Sequence, residues 1–161
     1  MKAKILVLFA SALGPLLLGG VVVLAAIVPP SGFHPVIIAD GKIAKASEIG
    51  ANGIEFSSRK NARVVVQTVE FDGGGTSGWH THPGLTVVTV LDGSVIDRNG
   101  CDAPVVYTAT QSFVEPPNTP GSVDNVSATV KAHAVAALIV PDGMAPRTNV
   151  AAPDCSHPRD D

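Results

Sequence analysis

The stretch Gly74-Gly75-Thr76-Ser77-Gly78-Trp79-His80-Thr81-His82, closed eleven residues later by Gly93, decides the fold of this chain. It joins a glycine-rich turn to two histidines at positions i and i+2, and an apolar run from Leu85 to Leu91 follows. Side chains two apart on a strand share one face, with their Cα atoms about 7 Å apart. The two imidazoles can therefore reach one divalent metal ion at about 2.1 Å from each nitrogen.

The stretch resembles the first motif of the cupin family. That motif runs from a glycine through five residues to His-x-His, then to a glutamate a few residues on and a glycine seven residues after the glutamate. Gly74, His80, His82 and Gly93 match these positions, and Thr86 stands where the family has its glutamate. The resemblance implies that His80 and His82 are metal ligands and that Thr86 lies in the same pocket.

Residues 110–125 resemble the second cupin motif, which runs glycine, five residues, Pro-x-Gly, two residues, histidine, three residues, asparagine. Pro116 and Asn125 are in place, and Asn118 can replace the turn glycine because asparagine tolerates positive φ. Gly121 occupies the histidine position. Of the four family ligands, only the two histidines of the first motif carry over, and the resemblance implies that Gly121 and Asn125 line the pocket.

A metal centre with two histidines lacks at least one ligand, since a catalytic site uses about three protein ligands and an open position. Glu115 is one candidate, although a carboxylate before Pro116 is also an ordinary turn acceptor. His133 is the other: it either faces the barrel interior or alternates outward with Ala132 and Ala134, and the pattern favours the outward position. Imidazole-rich sites of this kind suit iron, manganese, zinc, nickel or copper.

Short β-branched segments between residues 63 and 140 predict an all-β sandwich or barrel. The turns Asp92-Gly93 and Asn99-Gly100 have the usual hairpin chemistry. With the resemblance, this implies a cupin-type double-stranded β-helix, a jelly-roll barrel, over residues 62–143. Residues 31–61 are expected to form a linker and N-terminal arm. Within this region, Pro29–Pro35 is the predicted linker, residues 36–38 a short edge strand and residues 44–50 a turn or loose helix. Residues 144–161 are expected to form a polar tail.

The first 30 residues predict a signal or anchor helix. Residues 5–28 are apolar apart from Ser11, and Lys2 and Lys4 precede them. A helix of that length spans about 36 Å, enough for a hydrocarbon core of about 30 Å. An uncleaved transmembrane anchor is favoured over a cleaved signal peptide, and either one exports the chain beyond Pro29.

The net charge of the exported part bears on which partners it can bind, and its two cysteines bear on how it is cross-linked. The chain has 11 basic and 14 acidic side chains, so removal of Lys2 and Lys4 leaves 9 against 14, a net charge of −5, and nucleic-acid binding is not expected. Cys101 and Cys155 are expected to form a disulfide that pins the tail onto the loop after the third or fourth strand, with two free thiols as the alternative.

Three functions remain open on this basis. The favoured one is an extracytoplasmic, membrane-anchored cupin domain that binds a small molecule, with no assigned reaction. The second is a metal-dependent cupin enzyme, such as a dioxygenase or isomerase, that uses His80 and His82. The third is a structural or interaction module whose site is lost. Because many cupins are dimers, a homodimer is a further expectation from the resemblance.

Overall fold

The computed structural model describes residues 26–43 and 47–156, and the regular structure in these residues is all β-strand. The strands in chain order are β1 (Ser31–Ile43), β2 (Ser47–Ala51), β3 (Ile54–Ser58), β4 (Ala62–Thr76), β5 (His80–Thr81), β6 (Thr86–Asp92), β7 (Ser94–Asn99), β8 (Val105–Thr108), β9 (Ser112–Glu115), β10 (Gly121–Asn125), β11 (Ala132–Pro141) and β12 (Thr148–Asn149).

Ten of these strands form one rolled antiparallel sheet around the core. Strand β4 lies between β1 and β11, and β6 and β9 continue the sheet beyond β11. Through a bridge between Thr76 and Asp124, β4 also meets β10, which pairs with β5 on one side and β7 on the other. Strands β2 and β3 form a separate hairpin. This nearly closed, all-β barrel agrees with the predicted jelly roll.

Strand β11 shows how the sequence places the interior. Its buried positions alternate with half-buried ones from Ala132 to Val140, because successive side chains on a strand point to opposite faces. The inward positions include Ala134 and Ala136, whose small side chains leave space at the middle of the barrel. The larger apolar residues of the buried core include Val65, Phe71, Val90, Val95, Phe113 and Leu138.

The N-terminal arm is more ordered than the sequence indicates. Strand β1 begins at Ser31 and includes most of the predicted Pro29–Pro35 linker, because Phe33 packs against the core with its ring centroid 5.3 Å from that of Phe71. Residues 47–50 belong to the β2–β3 hairpin rather than to a turn or loose helix. The leader helix predicted over residues 1–30 lies mostly outside the described residues. Within the described part of the chain, no helix is long and apolar enough to cross a membrane.

The second motif forms a turn and a strand that sequence patterning did not predict. Strand β10, Gly121–Asn125, is rich in polar residues, yet it pairs with five residues of β7. Asn118 has a φ of 57°, which confirms that it takes the turn conformation of the family glycine. Thr110, at the first glycine position of the motif, also has a positive φ, of 72°. A β-branched residue is strained in that conformation.

The C-terminal residues are packed on the barrel at two points. Strand β12 pairs with β5, and Cys155 is bonded to Cys101 in the loop between β7 and β8, with their Cα atoms 5.5 Å apart. Val150 also donates a backbone hydrogen bond to Trp79 O. We call residues 146–155 the C-terminal strap.

Candidate metal centre

Backbone carbonyls fix the orientation of both histidines. His80 Nδ1 lies 2.9 Å from Gly78 O, and His82 Nδ1 lies 2.7 Å from Pro146 O in the strap. A carbonyl oxygen only accepts, so each Nδ1 carries the hydrogen and donates it. The neutral imidazoles are thereby left with an unprotonated Nε2, the arrangement that metal-binding histidines use. Both side chains are buried.

Glu115 completes a group of three with the two histidines. Its carboxylate oxygens lie 3.5 Å from His80 Nε2 and 3.3 Å from His82 Nε2, and the two Nε2 atoms are 3.1 Å apart. Ligand atoms about 2.1 Å from one metal ion are separated by about 3.0 Å in octahedral and about 3.4 Å in tetrahedral geometry. The two nitrogens, and the contact that each makes with one carboxylate oxygen, are therefore close to the spacing of a shared coordination sphere.

The position of Glu115 explains the missing family glutamate. Glu115 on β9 pairs directly with Thr86 on β6, and residues opposite each other in an antiparallel pair point to the same face. A carboxylate at 115 thus enters the pocket one strand away from the family position. Thr86 remains in the pocket with its buried Oγ1 free of hydrogen-bond partners among the described residues.

Gly121 provides the room for this carboxylate. It pairs with His80 across β10 and β5, and a Cβ at position 121 would lie 3.8 Å from Glu115 Oε1 and 3.3 Å from Arg98 O. A histidine here, as in the family motif, would extend toward the place that the Glu115 carboxylate occupies. The carboxylate at 115 and the glycine at 121 are therefore complementary departures from the family pattern.

The charges of the group favour a cation at its centre. Burial raises the pKa of Glu115, but the hydrogen bonds and charge that His80 and His82 supply when Nε2 carries a proton more than offset this and lower the pKa to about 2. The carboxylate is ionised at neutral pH, and its buried Oε1 accepts no hydrogen bond from the described residues. Two imidazole lone pairs and a buried anion repel one another unless a positive charge lies between them. Two nitrogens and one carboxylate oxygen are suitable donors for iron, manganese, zinc, nickel or copper.

A small cavity adjoins the three side chains. Its volume is about 30 Å³, and its walls include Phe33, Val88, Ala134, Ala136 and Arg147. A buried water needs about 10–15 Å³ measured in this way, so the space holds about two water-sized groups. The cavity suits a very small ligand beside a metal ion.

Arg147 and Pro146 belong to the site, although the sequence placed them in a polar tail. The Arg147 guanidinium donates from Nη1 to Asn149 Oδ1 at 2.7 Å and from Nη2 to Ser77 O, and it lies over the Phe33 ring at 5.4 Å. Its buried Nε has no partner among the described residues. Burial lowers the pKa of Arg147, and the Glu115 charge opposes that effect. The one sequence signal for this docking was Cys155, whose bridge to Cys101 brings the strap back to the barrel.

Two residues predicted for the site lie elsewhere. Asn125 is buried outside the cavity, where its Nδ2 donates to Asp72 O and Val130 O and its Oδ1 accepts from Ser127 N. Its role is therefore to brace a loop, which corrects its assignment to the pocket. His133 lies on the outer face, with Nδ1 2.8 Å from an Asp92 oxygen. It is not a third ligand, because inward and outward positions alternate along β11.

A second group of possible ligands lies on the outer face of the barrel. His34, Glu70 and Asp72 have donor atoms within 4.8 Å of one another, but the group is largely accessible to solvent. The Lys131 ammonium contacts both carboxylates. Lys131 supplies the positive charge that a metal ion would otherwise bring, so the two carboxylates are stabilised without an ion.

The comparisons with known proteins concern the barrel. Residues 67–138 match the family model described as the cupin domain. A structure of DMSP lyases aligns with a TM-score of 0.50 at 15% identity, over 72% of this chain and 51% of that chain. Oxalate oxidase in complex with the substrate analogue glycolate aligns at 0.47 and 24% identity, over 54% of this chain and 46% of that one. A cupin domain from Bordetella pertussis Tohama I aligns at 0.47 and 22% identity, over 71% and 98%.

This chain spans about half the length of the oxalate oxidase chain, 46% of which is covered. No curated protein sequence matches it. The family-model match lies within the rolled sheet and includes both histidines and Glu115. Residues 67–138 are therefore similar to a cupin domain, and the nearly closed all-β barrel of the described residues agrees with that similarity.

Proposed function

We propose that this chain is an extracytoplasmic, membrane-anchored cupin-domain protein that binds one divalent metal ion through His80, His82 and Glu115, and a small ligand beside it. The observation that carries the metal site is the convergence of three buried side chains: the two Nε2 atoms are 3.1 Å apart, and each lies within 3.5 Å of one of the two Glu115 carboxylate oxygens. The apolar leader and the bonded cysteine pair support export.

Each part of the site has a defined task in this function. The Gly78 and Pro146 carbonyls hold the two imidazoles with Nε2 toward the centre. Glu115 supplies the negative charge, which reduces the net charge of a bound divalent ion. The apolar walls limit access of water to the centre. A bound ion would act as a Lewis acid or redox centre for an oxygen atom of the ligand.

A metal-dependent enzyme of dioxygenase or isomerase type is the second candidate. It is favoured by one observation: among the described residues this group has three donor side chains rather than four, and sites that keep an open position are typical of catalysis. A purely structural module is disfavoured, because a barrel that needed no site would gain stability by replacing three converging buried polar groups with apolar ones.

Metal analysis of the purified, untagged full-length chain tests the proposal. After loading and desalting, we expect close to one equivalent of iron, manganese, zinc, nickel or copper. His80→Ala, His82→Ala and Glu115→Gln should each lose most of it. His133→Ala is the matched control, since it removes an imidazole that lies on the outer face. Less than a tenth of an equivalent in the wild type, or equal loss in the control, would contradict the proposal.

A further inference from the structure

We infer that Arg147 makes this site selective for a small carboxylate anion, a conclusion that rests on the metal-binding function proposed above. Arg147 lines the same cavity as His80, His82 and Glu115. It comes from the strap, one residue after the carbonyl that orients His82. The cation is therefore held beside the metal centre by the same segment that orients one of its ligands.

The hydrogen bonds of Arg147 leave its Nε–H without a partner in the described part of the chain. Nη1 and Nη2 are engaged by Asn149 and Ser77, which fix the plane of the guanidinium, and Phe33 packs against it. The Nε–H group is also buried. An unpaired buried donor destabilises the site, so an acceptor atom delivered by a ligand relieves this cost.

Charge determines which acceptor is favoured. Without a metal ion, the Arg147 cation and the Glu115 anion balance each other. A divalent ion raises the net charge of this buried group to +2, and uncompensated charge is expensive in a site that excludes water. The buried carboxyl of Asp97 interacts electrostatically with Glu115, but it does not line the cavity. It accepts a hydrogen bond from Asn99 instead. An anionic ligand is thus the remaining source of compensation.

Size and shape select among anions. A volume of about 30 Å³ admits one carboxylate group with at most a methyl substituent, as in formate or acetate. A planar carboxylate can direct one oxygen at the metal ion and accept a charge-assisted hydrogen bond from the guanidinium with the other. A neutral amide of the same size lacks the charge that the loaded site needs.

Calorimetric titration of the zinc-loaded, full-length chain tests the inference. We expect acetate to bind and acetamide, its neutral isostere, to bind at least tenfold more weakly. Arg147→Gln, with its zinc content measured in parallel, should weaken acetate binding about 10- to 100-fold, which is the value of a charge-assisted hydrogen bond. Arg147→Lys, which keeps the charge, should lose less. Arg63→Gln, at an arginine paired with Asp40 on the surface, is the matched control and should bind acetate as the wild type does.

The outcomes separate the two proposals. Absence of zinc from the wild type would overturn the metal site and this inference with it. Normal zinc content with equal affinity for acetate and acetamide, or with equal acetate affinity in the wild type and Arg147→Gln, would overturn the inference alone. Thermal unfolding of each variant identifies a folding defect, and in that case Arg147→Lys against the wild type decides the question.

Discussion

Replacement of Asp97 by asparagine should change how the stability of the metal-free protein depends on pH. The Asp97 side chain is buried at 4% exposure. Burial, and then the nearby Glu115 charge, raise its pKa from 3.8 to about 7, although Arg98 acts in the opposite direction. One oxygen accepts from Asn99 Nδ2 at 2.7 Å, and the other has no partner among the described residues. An asparagine carbonyl can keep the first contact.

The direction of this pH dependence follows from proton binding in the folded and unfolded states. Between about pH 4 and pH 7 the folded protein holds a proton on Asp97 that the unfolded chain releases, so this residue makes the free energy of unfolding fall as the pH rises through that window. Above pH 7 both states are ionised and the effect is constant. A shift of about three pKa units corresponds to at most about 4 kcal/mol.

Denaturant titrations in the presence of a chelator, between pH 4.5 and pH 8, measure this effect. Asp97→Asn should gain stability over the wild type progressively up to pH 7, by about 2–4 kcal/mol. The exposed Asp102 in the adjacent loop provides the control substitution, Asp102→Asn, which should run parallel to the wild type. If the Asp97→Asn and wild-type curves are also parallel, the carboxyl ionises normally in the fold and the reasoning is refuted.

Three further mutagenesis experiments test other features of the structure. Thr110→Gly should raise the free energy of unfolding by about 1 kcal/mol, because relief of the positive φ outweighs the added freedom of the unfolded chain; equal or lower stability in denaturant titrations would contradict this. Glu115→Thr should lose metal by elemental analysis, and Thr86→Glu in the same chain should restore it because the two residues face each other across the ladder; no recovery would show that the pocket cannot take a carboxylate from β6. Replacement of Cys101 and Cys155 by serine should cost about 4 kcal/mol in stability and weaken metal binding about 10- to 100-fold through the loosened strap; unchanged metal affinity in competition titrations would show that the strap orients nothing.

The barrel strands could largely be predicted from local pattern. Segments such as residues 63–71 and 85–91 alternate or are β-branched, and the flanking Asp-Gly and Asn-Gly turns mark their ends. Strand β10 was missed because Gly121–Asn125 is polar; its strand conformation comes from pairing with β7. The β2–β3 hairpin was missed because its local sequence pattern is weak, although the two strands are neighbours in the chain. The full length of β1 was missed because its pairing partner, β4, is distant in the sequence.

For the candidate site, spacing alone placed His80 and His82 on one face, because the strand period of two is a local property. Glu115 was one of two open candidates, and only the register between β9 and β6 brings it to the histidines while leaving His133 outside. Asn125 could not be distinguished from a pocket residue by motif position.

The sequence by itself determined a rolled β domain and a shared direction for two imidazoles, since glycine turns, β-branched runs and a two-residue spacing act within a few positions of the chain. Tertiary structure alone decided which carboxylate joins them and that Arg147 lies beside them. Those contacts join segments up to 70 residues apart, as between Arg147 and Ser77. They depend on strand register, on a glycine that leaves space and on a disulfide-tied strap, and no local periodicity encodes these.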